Sequence, residues 1–180
     1  MVRYTNNGTS RNPLTEGLLL DRYYSTGQYW DGVSDTDQKR LLLSCPSDAE
    51  YALFVIDPTV RTTGGTLIDK AKNVTIDTEG DAPDSGIVNK STRNGGSIAT
   101  AQTGGDGETG AFSGGTPFST KTTGSGSGGS SARPGSTAEN GPTNLIYPGG
   151  NMVVGATAKG GTRDISIDMD FVEYPIDRIP

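Results

Sequence analysis

The residues best suited to carry chemistry in this chain are acids within one C-terminal segment. Asp164, Asp168 and Asp170 alternate with apolar residues, so in a β-strand they would project from one face. Strand residues two positions apart are about 6.5 to 7 Å apart, too far for two of these acids to hold one small ion without ligands from another strand. A solvated acidic face is the simpler interpretation, and a calcium ion bound across a subunit contact is the alternative.

Other catalytic groups are sparse. The chain has no histidine and one cysteine, Cys45, which excludes His-assisted nucleophilic catalysis, zinc sites built from His or Cys, and an intramolecular disulfide. Cys45 follows Leu41–Leu43, which favours a buried filler over a reactive thiol. A glycosidase pair among the 21 acidic residues stays open, although nothing in the sequence singles one out. We therefore expect no enzyme activity, and we predict no cofactor and no metal site.

Charge and hydropathy limit the partners. The net charge is −6 over 180 residues, without a cluster of Lys and Arg, which argues against a nucleic-acid partner. The apolar runs are far shorter than the about 20 residues of a membrane span. The first residues lack the apolar region of a signal peptide, so we expect synthesis and use in a cytoplasm-like compartment.

The C-terminal acids lie in the clearest structural pattern of the chain, which predicts three β-strands. Strands are expected at 144–147, 151–158 and 162–174, with glycine turns between them. In the last strand the residues opposite the acids are apolar, with a strict period of two: Ile165, Ile167, Met169 and Phe171. One apolar and one acidic face indicate an antiparallel sheet that covers a core on one side.

Further strands are predicted upstream. Residues 51–56 are apolar at every position, so both faces of that strand should be covered. Shorter strands are expected at 66–68, 73–77, 87–88 and 97–100. Turn signals about every 10 residues are typical of sandwiches and jelly rolls. The sequence therefore predicts an all-β chain, an antiparallel jelly-roll-like β-sandwich over 47–180.

Residues 1–46 are predicted to form an extended N-terminal arm with a short helix. Its first 33 residues show no sustained periodicity. The helix is expected from Ser34, a candidate N-cap, with Asp35 and Asp37 complementing the helix dipole and Pro46 ending it. That dipole role is preferred to a metal site for these two acids.

A second irregular segment is expected as an insertion between two strands of the sandwich. Residues 102–143 contain 12 glycines and are predicted to form a long Gly/Ser-rich loop that lies on neighbouring copies or on a partner protein. The arm and the loop carry the predicted partner-contact residues: Leu18, Leu19, Leu20, Tyr23, Tyr24, Tyr29, Trp30, Phe112 and Phe118. The alternative is an arm that folds back on its own sheet.

Read together, several segments resemble the small jelly-roll capsid decoration, or cement, proteins of tailed bacteriophages and the related bases of head fibres. The matching residues are Tyr51–Ile56, then Gly64–Thr66 leading to Asn73, Asn89–Arg93, the Leu145–Val154 unit and the closing Phe171–Tyr174. The resemblance covers roughly residues 50 to 175. The Gly/Ser-rich segment is longer than in the family, and the arm has no counterpart there.

The resemblance implies a non-enzymatic virion protein, made in the host cytoplasm, that acts as a homotrimer on the capsid surface. Its partners would be other copies of itself and the major capsid protein, with no nucleic acid and no membrane. Many copies that bind only the expanded shell would stabilise that shell by mass action. The alternatives are a head-fibre, tail-fibre or receptor-binding module, or a non-viral carbohydrate-binding or adhesion domain.

Overall fold

The computed structural model describes residues 4–6, 9–11, 22–56, 58–91, 95–123 and 145–179. Within these residues the chain is all-β with antiparallel strand pairing, as predicted, and a single 3-10 turn at Ile176–Arg178 is the helical element. The strands in chain order are β1 (Tyr4–Asn6), β2 (Thr9–Arg11), β3 (Tyr23–Val33), β4 (Gln38–Ser44), β5 (Tyr51–Val55), β6 (Thr59–Thr62), β7 (Thr66–Lys72), β8 (Thr75–Thr78), β9 (Ile87–Asn89), β10 (Thr100–Gly105), β11 (Ala111–Ser113), β12 (Thr116–Thr123), β13 (Leu145–Ile146), β14 (Asn151–Ala158) and β15 (Arg163–Pro175).

Two sheets form the sandwich. The β15 sheet has the order β13-β5-β15-β3-β9, and β6 also pairs with β15. Strands β5 and β6 follow one another along the same edge of β15, opposite β3. The β14 sheet has the order β10-β4-β14-β7-β12.

The long-range pairing follows a simple rule: strands of the first half of the chain pair with strands of the second half in reverse order. β3 pairs with β15 and β4 with β14. β5 pairs with β13, and β7 with β12. Successive strands of each half alternate between the two sheets, so the chain resembles one long hairpin wrapped into two layers.

The core between the sheets confirms the predicted alternation of β15. Ile165, Ile167, Met169 and Phe171 are fully buried, together with Leu41, Leu43, Met152 and Val154 from the β14 sheet. The Tyr24 and Phe171 rings stack with centroids 5.6 Å apart. Asp164, Asp168 and Asp170 of β15 lie on the other face and are partly exposed. Burying each large aliphatic side chain contributes about 1.5 to 3 kcal/mol.

A short ribbon, β8 with β11, covers the outer face of the β14 sheet. Phe112 of β11 packs in a second apolar cluster with Leu42, Val153, Ala71 and Val74. The ribbon approaches the β14 sheet closely at Gly80, where a Cβ would lie 1.9 Å from the Thr103 carbonyl oxygen. The ribbon thus adds a third layer on one side of the sandwich.

One acid continues the inward alternation of β15. Glu173 is fully buried and pairs with Arg22, whose Nη1 lies 2.6 Å from Glu173 Oε2. The Ser97 hydroxyl and the Ile98 amide each donate to Oε1 at 2.7 Å. These bonds satisfy the carboxylate and hold the segment before β10 against the end of β15.

The predicted helix after Ser34 is wrong. Residues 38–44 form β4, with Leu41 and Leu43 facing the core and Leu42 facing the ribbon. A turn places Asp37 before the strand, and its amide donates to the Ser34 carbonyl. The charge pattern that predicted a helix therefore belongs to a strand. Its acids precede β4, its bases lie at the start of β4, and both faces of the strand are covered.

The boundary of the arm also needs correction, because Tyr23–Val33 and Gln38–Ser44 lie in the two large sheets. The long loop expected at 102–143 is likewise corrected in its first half. Residues up to 123 form β10, β11 and β12, and residues 124–143 lie outside the described residues.

Candidate functional site: a polar cleft on the β15 sheet

The outer face of the β15 sheet carries a grid of polar side chains on three strands. Strand register puts Asp170 opposite Ser25 of β3 and Asp168 opposite Gly27. On the other side of β15, Asp168 lies opposite Thr59 and Ser166 opposite Arg61. Side chains opposite one another on neighbouring strands are about 4.5 to 5.5 Å apart at Cβ, so the acids stand within reach of both flanking strands.

Each acid has its own basic partner. Asp168 Oδ2 lies 3.1 Å from Arg61 Nη1, and the Ser166 hydroxyl donates to the same oxygen at 3.2 Å. Asp170 Oδ1 lies 2.8 Å from Lys90 Nζ, and the Tyr23 hydroxyl donates to Asp170 Oδ2 at 3.1 Å. All four charged side chains are between one-third and about three-fifths exposed, so solvent and ligands can reach them.

These contacts shift two pKa values. Burial, followed by the charge of Asp170, raises the pKa of Tyr23. The hydrogen bond to Asp170 raises the pKa of Lys90, against a smaller lowering by burial. Both groups therefore stay protonated at neutral pH and act as hydrogen-bond donors in the cleft.

The cleft has a volume of about 270 Å³ and a floor where side chains are small. Its described lining residues are Ser25, Thr26, Gly27, Thr59, Arg61, Ser85, Lys90, Asp168 and Asp170. A turn closes one side, because the Ser85 hydroxyl donates to the Gly27 carbonyl and accepts from the Gly27 amide. The absence of a side chain at Gly27 lets Asp168 lean over the strand, since a Cβ here would lie 2.4 Å from Asp168 Oδ1.

The donor set does not favour a metal. Across the described ranges, no group of three or more His, Cys, Asp or Glu side chains is placed to hold an ion. Asp164, the third acid on this face of β15, lies at its other end and accepts from the Gly32 amide at 3.1 Å. The cleft instead offers mixed hydrogen-bond donors and acceptors with balanced charge.

Three of the predicted partner-contact residues belong to the core of this chain. Tyr24 is 1% exposed and stacks on Phe171, and Phe112 lies under the ribbon. Trp30 is buried, and its indole N–H donates to Glu108 Oε1 at 2.8 Å, an oxygen that also accepts from Lys39 Nζ. These rings pack the fold; for Tyr24 and Trp30 this is the alternative raised for the arm.

The other predicted contact residues are distributed differently. Tyr23 borders the cleft, Tyr29 is 57% exposed on the same strand face, and Phe118 is partly buried against the core. Leu18, Leu19 and Leu20 lie outside the described residues. Tyr23 and Tyr29 are thus the two predicted residues that the structure brings to one accessible surface.

The apolar surplus inferred from the sequence is buried within a single chain. The ribbon covers Leu42 and Val153, and β5 is buried on both faces, as predicted, at Ala52 and Leu53. These strand faces are therefore covered without a partner.

The sequence pointed to Asp168 and Asp170 but not to Arg61, Lys90, Thr59 or Gly27. These residues come from three separate segments, and only strand register brings them together. One sequence signal for the cleft was available. Ser25 and Gly27 are small outward-facing residues of β3, and they leave a gap between Tyr23 and Tyr29.

Comparison of the chain with models of protein families, with curated proteins and with solved structures finds no match. None of the helical segments in the described part of the chain has the length and apolar character needed to cross a membrane.

Proposed function

We propose that the sandwich is a jelly roll and that the chain is a virion structural protein of the capsid decoration type. The support for the fold is the reverse-order pairing of β3, β4, β5 and β7 with β15, β14, β13 and β12. Such pairing, divided between two sheets, is how eight strands build the two Greek keys of a jelly roll. This strand order is the observation that carries the proposal.

The viral role rests on combining that fold with the sequence. Jelly rolls of eight strands recur in viral capsid proteins and in lectins, and a fold by itself hosts many functions. The resemblance over roughly residues 50 to 175 favours the capsid decoration proteins. In this role the chain is a homotrimer on the outer surface of a tailed-phage head, bound to the major capsid protein and made in the host cytoplasm.

The N-terminal segment supports contact beyond the sandwich. Strands β1 and β2 form a separate two-stranded sheet, and their pairing within the described residues joins neither large sheet. A hairpin of this kind, followed by the Leu18–Leu20 run, can add contact area on a neighbour. Many weak contacts of this type accumulate into strong retention on a shell.

The test is retention on heads purified from the phage that encodes the chain. Added protein should co-sediment with the expanded heads and raise the temperature at which they release DNA, because a ligand of one state stabilises that state. Light scattering of the free protein should give three times the 18.7 kDa chain mass. Failure to co-sediment with any form of the head would contradict the proposed role.

A variant with Leu18, Leu19 and Leu20 all changed to Ser separates the arm from the sandwich. We expect at least a tenfold loss of retention, because the variant loses apolar contact area on the shell. Ile76→Ser, on the ribbon and 37% exposed, is the matched control and should bind as the unchanged protein does. Equal retention of both variants would remove the arm from the interface.

A further inference from the structure

We propose that the polar cleft on the β15 sheet binds a neutral saccharide, as a free sugar or as the terminal unit of a glycan. The inference is independent of the virion role, since it depends only on the residues of the cleft and on Tyr29. Three features of the cleft support this assignment: unused hydrogen-bonding capacity, charge balance and an exposed aromatic ring.

Several polar groups in the cleft have unused bonding capacity. Asp168 Oδ1 leans over Gly27, and no described residue donates to it; its other oxygen holds Arg61 and Ser166. The hydroxyls of Ser25 and Thr59 likewise have no partner among the described side chains and backbone groups. Sugar hydroxyls both donate and accept, so they suit a surface where acceptors and donors alternate over a few ångströms.

The balance of acidic and basic side chains in the cleft favours a neutral ligand. Two carboxylates, Asp168 and Asp170, face two bases, Arg61 and Lys90, in alternation. An anionic ligand would meet a carboxylate beside each base, and a cationic ligand would meet a base beside each carboxylate. A neutral polyol can accept from the bases and donate to the acids without that repulsion.

An exposed ring stands next to the cleft. Tyr29 is the next outward residue of β3 after Gly27, about 6.5 to 7 Å along the strand, and it lies opposite Ser166. Its side chain is 57% exposed, unlike the buried Tyr24 and Trp30. An aromatic face next to polar groups suits a sugar ring, which has apolar C–H faces and a polar rim.

The size of the cleft limits the ligand. Its volume of about 270 Å³ is slightly below the about 300 to 1,000 Å³ that is usual for ligand pockets. That space suits one or two sugar units and not a long segment of a polymer. Specificity would therefore lie in the terminal residue of a glycan.

Saturation-transfer NMR on the full chain tests the proposal, with the neutral methyl glycosides of glucose, galactose, mannose and N-acetylglucosamine, and with glucuronate and sialic acid as charged probes. At about 10 mM, a site with a Kd of 1 mM is about nine-tenths occupied. We expect transfer to at least one neutral glycoside. No transfer to any neutral glycoside, or transfer to the acidic sugars alone, would overturn the proposal.

Two variants locate the binding site. Tyr29→Ala and Arg61→Ala change side chains that are each 57% exposed, so both should fold. Each should weaken glycoside binding at least tenfold. Tyr147→Ala is the matched control, a tyrosine that is 53% exposed outside the cleft, and it should bind within twofold of the unchanged protein. Binding that survives both cleft changes would place the sugar elsewhere and overturn the assignment.

Discussion

Two carboxylates of the same strand, Glu173 and Asp168, show how burial decides the contribution of an ion pair. Both are paired with arginine, Glu173 at 2.6 Å and Asp168 at 3.1 Å. Glu173 is fully buried, whereas the Asp168 and Arg61 side chains are 41% and 57% exposed. Water therefore screens the second pair more than the first, so similar geometry has different energetic consequences.

Glu173→Gln should lower the free energy of unfolding by about 3 kcal/mol, because it leaves the Arg22 charge without its buried partner. This is the lower end of the usual range, since the Arg22 side chain keeps 30% exposure. Asp168→Asn should cost about 1 kcal/mol or less. Urea denaturation of both variants measures the difference, and equal losses would contradict the assigned burial.

Cys45 gives a pH-dependent prediction. Burial, with a smaller effect of the Glu173 charge, raises the pKa of its thiol from 9.0 to about 11. A raised folded-state pKa contributes stability that is complete below pH 9 and is lost as the pH rises toward 11, because only the unfolded chain deprotonates in that interval. The free energy of unfolding should therefore fall between pH 9 and 11.

Cys45→Ala separates this effect from other alkaline titrations. The variant should show a shallower decline over the same interval, measured by urea denaturation at each pH. The thiol of the folded protein should also react slowly with a disulfide reagent at pH 8, and quickly once the chain is unfolded. A fast reaction of the folded protein would show that the thiol is not buried.

At the scale of elements, the strands with the clearest period were predictable. β14 matches its predicted bounds, β5 ends one residue earlier than predicted, and β15 is shifted by one residue at each end. Their apolar residues alternate or run continuously, and no competing local signal is present. The period alone was enough to place Ile165, Ile167, Met169 and Phe171 inside.

The elements that the sequence did not predict are determined by contacts between residues far apart in the chain. β4 carries acids before it and bases at its start, a helix-like charge pattern, but Leu41, Leu42 and Leu43 are consecutive and need cover on two faces. The segment 100–123, which contains β10 to β12, is rich in Gly and Thr both in its strands and between them. The close contact of ribbon and sheet depends on Gly80 and on Gly110, which lie between strands, and it becomes visible only when both residues meet Thr103.

A glycine substitution tests that contact. Gly80→Ala would place a Cβ 1.9 Å from the Thr103 carbonyl, a backbone atom that cannot move aside cheaply. We expect a loss of about 1 to 3 kcal/mol, the usual cost of overpacking, and faster amide exchange in β8 and β11. Gly96→Ala is the control, because its Cβ would meet nothing within 4 Å. A neutral Gly80→Ala would contradict the packing of the ribbon.

At the scale of the whole molecule, the single chain covers its own apolar strand faces. For the proposed role we therefore expect the partner surfaces to lie in the N-terminal segment and the loops. The sequence indicated the two layers correctly but assigned the aromatic residues to the interface. Trp30 and Phe112 illustrate the reason for this error. In the sequence, an aromatic residue of the core cannot be distinguished from one of an interface until the strand register is known.

The most direct test of the central claim is the amount of this chain in purified virions, measured by quantitative mass spectrometry against the major capsid protein. For a decoration protein we expect a fixed ratio, set by the capsomers of the shell and unchanged between preparations. A ratio of only a few copies per particle, as at a tail tip, or the absence of the chain from the particle, would contradict it.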